Sequence, residues 1–340
     1  MKRLIAISKN LALVIASLLV CFILLETVFR ILAPPESPGT TYGKAITKNI
    51  DNFRDREFAI PKPEHTYRIL VLGDSFTWGV GLDVEETIPK LLERQLAAEH
   101  PAGTIEVINA AIPGYNTAEQ LILLQEKGLK YQPDMVLLIY NLNDIEYLPH
   151  LTPKTYDHLE ATPVVELDPG EEITKYSPYQ GLRGVILKIE RRSVFVKFLV
   201  PRVGALLREF GLIESVEFSW VEKLLQGFTD ENPGWLESKR SLTQIAALCQ
   251  SEGCTFQVGI YPLLTELERY RDSEAHRTLL RFFREAGIQA TDLLPLFENT
   301  NPRSYWINFM DGHPNAMAHR MVSEALLPAI RTDIQARTDG

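Results

Sequence analysis

A short polar segment directly follows a compact apolar run in the first third of the chain. The run spans residues 69–72 and ends at Gly73, after which come Asp74, Ser75 and Thr77. In α/β enzymes, a buried strand, a glycine turn and then a helix present a serine at the carboxyl edge of a sheet. The segment therefore predicts a candidate nucleophile at Ser75. A serine in an ordinary strand-to-helix turn is the alternative that these residues alone leave open.

Polar residues also follow other predicted strands. They are Gly114 after the second strand, Asn143 with Asp144 after the third, and Asp311 with His313 after the last. The carboxyl ends of parallel strands meet at one edge of a sheet, where open α/β sheets bind ligands. We therefore expect these residues to converge on Ser75.

The elements that must position these residues alternate along the chain. The predicted strands are residues 69–72, 104–109, 134–140, 255–261 and 288–292. The predicted helices are residues 83–96, 117–128, 235–252 and 273–286, and a final one opening at 310–319 and ending near 330. Such alternation is typical of a parallel sheet with helices on both faces. We predict a three-layer α/β/α sandwich with a parallel, flavodoxin-like sheet.

Composition limits the possible functions. The 340 residues are 45% hydrophobic, which is enough for at least one sizeable core. The formal net charge of −9 argues against a nucleic-acid binder, which needs a basic surface. Three cysteines, Cys21, Cys249 and Cys254, do not form a disulfide framework. The last two could pair only if their Cα atoms came within about 7 Å.

The N-terminal segment is strongly apolar. Residues 11–25 carry no charge, and residues 4–32 are interrupted only by Lys9, Glu26 and Arg30. A membrane span needs about 20 mostly apolar residues, so we predict a transmembrane helix here. The basic residues before it predict a cytoplasmic N-terminus and an external remainder. A cleaved signal peptide is the alternative, but no small-x-small cleavage site follows the apolar core.

The remaining sequence predicts the domain organisation. Residues 1–33 would be the cytoplasmic tip and anchor, residues 34–65 a proline-rich tether, and residues 66–335 the main domain. Within that domain the alternation of strands and helices stops at about 146–232, which reads as an insertion. Its basic and apolar part, residues 181–210, predicts either an amphipathic segment on a membrane surface or a helix packed over the rim of the site.

Four of these motifs together resemble the ordered blocks of the GDSL, or SGNH, hydrolase family. The blocks are Gly73-Asp-Ser-Phe76, the Gly114 loop, Asn143-Asp144 and Asp311-Gly-His-Pro314. The resemblance covers residues 66–145 and 235–330, and it is closest to the membrane-anchored bacterial branch, in which a GDSFTxG opening and an HPN ending recur. One position departs from the family pattern, because Asn141 stands where the third block usually has a glycine. The resemblance implies the SGNH hydrolase fold.

The resemblance also implies a role for each residue. Ser75 would be the nucleophile, and a neutral His313 would remove its proton and later deliver it to the leaving alkoxide. Asp311 would orient the imidazole and stabilise its cation. The oxyanion would be held by the Ser75 amide, the Gly114 amide and the Asn143 side chain.

Other polar residues receive structural interpretations or stay open. We expect Asp74 and Asp144 to brace their loops, and His319 to be a packing or surface residue. His150 and His158, in the insertion, could touch substrate. A metal site built from Asp74 with the two residues of the last block is conceivable, but nothing in the sequence requires a metal or another cofactor.

The sequence as a whole predicts a serine esterase of the bacterial inner membrane with its domain in the periplasm or outside the cell. Its substrate would be an acylated glycan or lipid of the envelope, from which it removes or transfers a small acyl group such as acetyl. Residues 4–32 would hold it in the membrane, and envelope-assembly proteins are possible partners. The alternatives are an O-acyltransferase and a non-catalytic polysaccharide assembly or binding protein.

Overall fold

The computed structural model describes ten stretches of the chain. They are residues 2–32, 40–101, 103–145, 193–196, 199, 203, 224–264, 267–271, 273–308 and 311–338. The chain divides into two compact units. One unit comprises Met1–Pro38 and Leu167–Val216, and the other comprises Gly39–Glu166 and Glu217–Gly340.

The strands lie in the larger unit. They are β1 (Thr40–Thr41), β2 (Lys44–Ala45), β3 (Tyr67–Leu72), β4 (Ile105–Asn109), β5 (Met135–Tyr140), β6 (Thr255–Ile260), β7 (Gln289–Asp292), β8 (Trp306–Asn308) and β9 (Asp311–Pro314). The helices are α1 (Lys2–Leu32) in the smaller unit, and then α2 (Ser75–Trp78), α3 (Ile88–Ala97), α4 (Thr117–Leu123), α5 (Pro233–Glu252), α6 (Leu267–Arg271), α7 (Glu274–Glu285) and α8 (Ala316–Thr338).

A five-stranded parallel sheet forms the centre of the larger unit. Its strand order is β4-β3-β5-β6-β7, which is the flavodoxin-like order predicted from the sequence. Every residue of β5 is buried, as expected of a strand covered on both faces. Helices α3 and α8 contact each other, as do α4 and α5, so they form helix layers against the sheet. The α/β fold with a parallel sheet is therefore confirmed.

The start of the last helix differs from the prediction. Residues 311–314 were expected to open this helix, but they form β9, which pairs antiparallel with β8. Pro314 disfavours helical backbone at the residue before it. Asn315 then caps the helix, since its side-chain oxygen accepts the amides of Met317 and Ala318 at 3.1 and 3.2 Å. The sheet-edge residues of the last block are thus extended.

The predicted tether contributes to the core of the larger unit. Phe53 and Arg54 are completely buried, and Asp55 is 4% exposed. The Asp55 carboxylate lies 2.8 Å from the Lys90 ammonium, which is itself buried. Polar composition suggested a solvated segment, but these charged side chains are buried because each has a partner distant in sequence. At least residues 49–58 therefore belong to the domain.

The apolar N-terminal segment is helical, as predicted, over Lys2–Leu32. However, none of the helices in the described stretches is long and apolar enough to cross a membrane, so the structure does not support the predicted transmembrane helix. Charged residues interrupt the apolar run, among them Glu26 and Arg30, which form an ion pair at 2.7 Å. Glu26 also accepts the Ser193 hydroxyl at 2.6 Å within the same unit.

The predicted insertion at 146–232 lies outside the described residues except for 193–196, 199, 203 and 224–232. The two cysteines that could have paired, Cys249 and Cys254, are both buried and free.

A buried histidine joins two helices beside the serine turn. His319 of α8 is fully buried, and its Nδ1 accepts the amide of Ile88, the first residue of α3, at 3.0 Å. Burial, with the nearby positive charges of Arg54 and His313, lowers the pKa of His319 to about 3. The imidazole is therefore neutral at physiological pH and serves as a hydrogen-bond acceptor within the core.

We predict that replacing this imidazole will weaken the dependence of stability on pH. Below its usual pKa of 6.5, the unfolded chain takes up a proton at His319 that the folded chain refuses until about pH 3. The free energy of unfolding therefore falls as pH is lowered through this window. A His319→Gln variant can keep the Ile88 contact without titrating. Between about pH 7.5 and about pH 5, urea unfolding should show the wild type losing about 2 kcal/mol more than the variant. Equal losses would contradict this role.

Candidate active site

The serine turn is built from a capped, very short helix. Strand β3 ends at Leu72, and the Asp74 side chain caps α2 by accepting the Phe76 amide at 2.9 Å. Ser75 is the first residue of α2. The first amides of a helix have no acceptor inside it, so the Ser75 N–H can donate to a group outside the helix.

Close packing explains the glycine before this helix. A Cβ atom at Gly73 would lie 2.3 Å from Oγ1 and 2.7 Å from Cβ of Thr77. Because Thr77 is completely buried, its side chain has no room to move away. The turn that presents Ser75 therefore depends on the absence of a side chain at position 73.

Three of the predicted residues form one continuous chain of hydrogen bonds. His313 Nε2 lies 2.9 Å from Ser75 Oγ, and His313 Nδ1 lies 2.6 Å from Asp311 Oδ1. An ionised carboxylate only accepts hydrogen bonds, so the imidazole proton belongs on Nδ1. Nε2 is then free to accept the serine proton. The arrangement can act as a nucleophile, a general base and a group that orients the base.

The acid of this chain is held as an anion. Burial raises the pKa of the Asp311 carboxyl, but the hydrogen bond and charge of His313 outweigh that effect. Together with the Tyr42 hydroxyl and the His313 amide, they lower the pKa to about 2. The Tyr42 hydroxyl donates to Asp311 Oδ2 at 2.5 Å. Sequence reasoning missed Tyr42, because a tyrosine in a short polar stretch carries no periodic or motif signal.

Asn143 reaches the serine turn through Asp74. Its Nδ2 donates to Asp74 Oδ2 at 3.1 Å, and Asp74 is only 1% exposed. Burial raises the pKa of Asp74, while the hydrogen bonds from Phe76 and Asn143 oppose that rise. An amide nitrogen carries two hydrogens, so one Nδ2–H remains for another acceptor. Asp74 thus holds Asn143 against the serine turn.

Asp144 fixes the same loop by hydrogen bonds to the Asn141 backbone and to helix α4. Its carboxylate accepts the Asn141 amide and the Gln120 side chain, each at 3.3 Å. Burial and the charge of Asp74 raise the pKa of Asp144 well above its usual value. Asn141, which replaces the family glycine, is itself buried, and its side-chain oxygen accepts the Leu142 amide at 2.8 Å. The loop therefore accommodates an asparagine where the family pattern has a glycine.

The loop of Gly114 is tied to the serine turn. The Ile112 amide donates to the Gly73 carbonyl at 3.0 Å, which places the start of this loop beside the serine turn. Gly114 itself has φ +80°, a left-handed conformation that favours glycine, and space is open where its side chain would be. The structure thus brings this loop to the site, whereas His150 and His158 lie outside the described residues.

No metal centre accompanies these groups in the described part of the chain. It contains no cluster of three or more His, Cys, Asp or Glu side chains placed to hold a metal ion. The Asp74 carboxylate hydrogen-bonds to the Asn143 side chain and to the Phe76 amide.

The chain is similar to a known protein family and to several solved structures. The model of the GDSL-like lipase/acylhydrolase family matches residues 71–321. An uncharacterised protein of Mycoplasma pneumoniae is 35% identical over 101 residues, which are 29% of this chain and 11% of that protein. The crystal structure of TesA is 16% identical with a TM-score of 0.44, covering 78% of this chain and 99% of its own.

A catalytic mutant of Axe2, an acetylxylan esterase from Geobacillus stearothermophilus, is 13% identical with a TM-score of 0.43, covering 77% of this chain and 93% of its own. The family match spans most of the chain. The protein therefore belongs to the GDSL-like lipase/acylhydrolase family.

We predict that a methyl group at position 73 will disrupt the serine turn. Gly73→Ala should lower the free energy of unfolding by about 2 kcal/mol or more, because either α2 or β3 must shift. Gly287→Ala is the control, since Gly287 has φ +67° and open space around the position of a Cβ. That change should cost only about 1 kcal/mol, the usual strain of a left-handed alanine. Urea unfolding measures both values, and a smaller loss for Gly73→Ala than for Gly287→Ala would contradict the packing argument.

Proposed function

We propose that this protein is a serine esterase that works through an acyl-serine intermediate. The observation that carries the proposal is the hydrogen-bond chain from Ser75 through His313 to Asp311. Ser75 Oγ attacks the ester carbonyl carbon while His313 Nε2 takes the hydroxyl proton. The imidazolium then gives that proton to the departing alkoxide, which leaves the acyl group on Ser75.

Water then acts as the nucleophile that hydrolyses the acyl-serine. His313 removes a proton from water, the resulting hydroxide adds to the acyl carbon, and the proton returns to Ser75 as the carboxylic acid leaves. Asp311 stays ionised throughout, since its pKa of about 2 lies far below neutral pH. Its charge stabilises the imidazolium that forms in each half of the cycle.

We assign the oxyanion to donors around the serine turn. The Ser75 amide lies in the first turn of α2, where backbone amides have no acceptor within the helix. The Asn143 side chain is held by Asp74 with one Nδ2–H to spare. The Gly114 amide is the third candidate, in the loop tied to Gly73. Such preorganised donors are most effective where the negative charge develops.

We propose a small acyl group on a bulky polar acceptor as the substrate. The His313 and Asp311 side chains remain 29% and 20% exposed. A partly open triad suits an ester whose alcohol portion stays outside the protein, as in an O-acetylated glycan. One structural neighbour, described above, is an acetylxylan esterase. The envelope location and the lipid alternative stay predictions.

Two other functions would use the same fold. In an O-acyltransferase, a sugar hydroxyl would replace water as the acceptor of the acyl group from Ser75. In a non-catalytic assembly or binding protein, the hydrogen-bond chain would have no chemical use. The intact chain of Ser75, His313 and Asp311 favours the two catalytic functions.

We predict that the full-length protein hydrolyses p-nitrophenyl acetate and is labelled at Ser75 by a fluorophosphonate. Ser75→Ala and His313→Ala should each remove nearly all turnover, because members of a triad act as a unit. Ser251→Ala, which changes an exposed serine at the end of α5, is the matched control and should retain full activity. Folded protein that resists the label would exclude Ser75 as a nucleophile, and an active His313→Ala variant would require a different base.

We also predict that Asn143→Ala lowers kcat by about 100-fold to 1,000-fold, with little change in KM. The removed donor would bind the oxyanion of the transition state more strongly than the substrate carbonyl. Steady-state kinetics on p-nitrophenyl acetate separate the two constants. If kcat/KM falls as much only because KM rises, with kcat unchanged, Asn143 only binds substrate.

A further inference from the structure

A small hairpin near the start of the larger unit lies against the candidate active site. Strands β1 and β2 pair with Thr40 opposite Ala45, and the turn between them has Tyr42 at φ +47° and Gly43 at φ +78°. Sequence reasoning had assigned this stretch to a tether. The turn instead carries the Tyr42 hydroxyl to Asp311, 269 positions away in the chain.

The hairpin is attached to the loop that follows the serine helix. The Gly81 amide donates to Thr41 Oγ1 at 2.8 Å, and Thr41 is 3% exposed. Lys44 Nζ lies 2.6 Å from the Asp83 carboxylate. The ring of Tyr42 lies beside Gly81, where an added Cβ would come within 3.2 Å of Tyr42 Cδ2. The hairpin therefore contacts both the serine loop and the strand that carries the acid and base.

The two oxygens of the Asp311 carboxylate have different donors. Oδ1 accepts the His313 imidazole at 2.6 Å and the His313 amide at 3.0 Å. Oδ2 accepts Tyr42. An aspartate in a partly exposed site can otherwise rotate and exchange its protein donors for water. With both oxygens engaged, the carboxylate plane is fixed relative to the imidazole.

We propose that Tyr42 is a positioning residue of the catalytic triad, and that the hairpin β1–β2 is a working part of the active site. The inference rests on the proposed esterase function. Tyr42 touches no reacting atom, and it acts through Asp311 by keeping its Oδ1 directed at His313 Nδ1. In a Ser-His-Asp triad, the main role of the acid is to orient the imidazole.

The phenol hydrogen bond has a second, electrostatic effect. It draws part of the carboxylate charge toward Tyr42, which weakens the attraction of Asp311 for a protonated imidazole. Loss of the hydroxyl therefore has two consequences of different kinds. First, the imidazole is less well oriented, so catalysis slows. Second, the imidazole holds its proton more tightly, so His313 titrates at higher pH. Loss of a residue that only stabilised the fold would change neither kcat nor the pH at which His313 titrates.

Two other titratable groups near His313 are not altered by a substitution at Tyr42. Asp74 of the serine turn and the buried, neutral His319 of α8 interact with it electrostatically. These groups set a constant background, against which the contribution of the Tyr42 hydroxyl can be measured.

The test compares Tyr42→Phe with a matched variant of the full-length protein. Tyr67→Phe removes a tyrosine–aspartate hydrogen bond as well, but at the opposite edge of the sheet, where Tyr67 donates to Asp333. Kinetics on p-nitrophenyl acetate across pH give kcat and KM. NMR titration of the histidine ring protons gives the midpoint of His313. For Tyr42→Phe we expect kcat about 10-fold lower, KM unchanged and a midpoint about half a pH unit higher. Tyr67→Phe should match the wild type in all three.

Two results would overturn the proposal. One is a Tyr42→Phe variant with the kcat and the His313 midpoint of the wild type. The other is a loss in Tyr42→Ala that Tyr42→Phe does not share, since that would assign the effect to packing of the ring. The NMR midpoint is read from folded protein whether or not it turns over an ester. The wild type could fail to hydrolyse the ester while Tyr42→Phe still shifts the His313 midpoint. That result would refute the esterase function and support the Tyr42–Asp311 coupling.

Discussion

The hydrogen bond between His313 and Ser75 is the contact on which the rest of the site depends. It joins the first residue of α2 to β9 at 2.9 Å, across 238 positions in the chain. Hydrogen bonds weaken steeply with small changes in distance and angle, so both segments must be held in place independently. The parallel sheet fixes the serine end through β3. The β8–β9 hairpin fixes the other end, because Asp311 and His313 lie on β9 and cannot turn separately.

Buried polar groups, rather than apolar packing alone, secure the serine end. The Arg54 guanidinium is fully buried and donates to the carbonyls of Trp78, Gly79 and Leu82 at 3.0, 2.6 and 2.5 Å. It also lies over the Trp78 ring at 4.4 Å. Burial lowers the pKa of Arg54 to about 10, so it keeps its charge at neutral pH. A buried cation is costly unless several acceptors surround it, and here the carbonyls of the last residue of α2 and of the loop after it are those acceptors.

The sequence predicted the features that depend on local pattern. Apolar runs and their spacing identified all five strands of the sheet, and their order in the chain indicated the winding. Three of the polar blocks fell at one edge because chain direction alone decides where parallel strands end, whereas the fourth lies on β9 of a separate antiparallel hairpin. The errors concern residues whose partners are far away in sequence. Arg54 and Asp55 looked solvated because nothing local reveals the carbonyls and the ammonium that receive them, and Tyr42 was missed for the same reason.

Three aspartates near the serine turn have environments that separate their roles. Asp74 and Asp144 are buried, and the charge of Asp74 adds to the burial that raises the pKa of Asp144. Asp311 has the opposite setting, with the His313 imidazole and amide and the Tyr42 hydroxyl all donating to it. Carboxyl groups whose pKa values are pushed apart in this way indicate which one carries the charge that the chemistry uses. The anion that faces the imidazole is Asp311, and the two buried carboxyls shape the loops that present Ser75 and Asn143. The hairpin that carries Tyr42 therefore takes part in setting the charge of the site as well as its geometry.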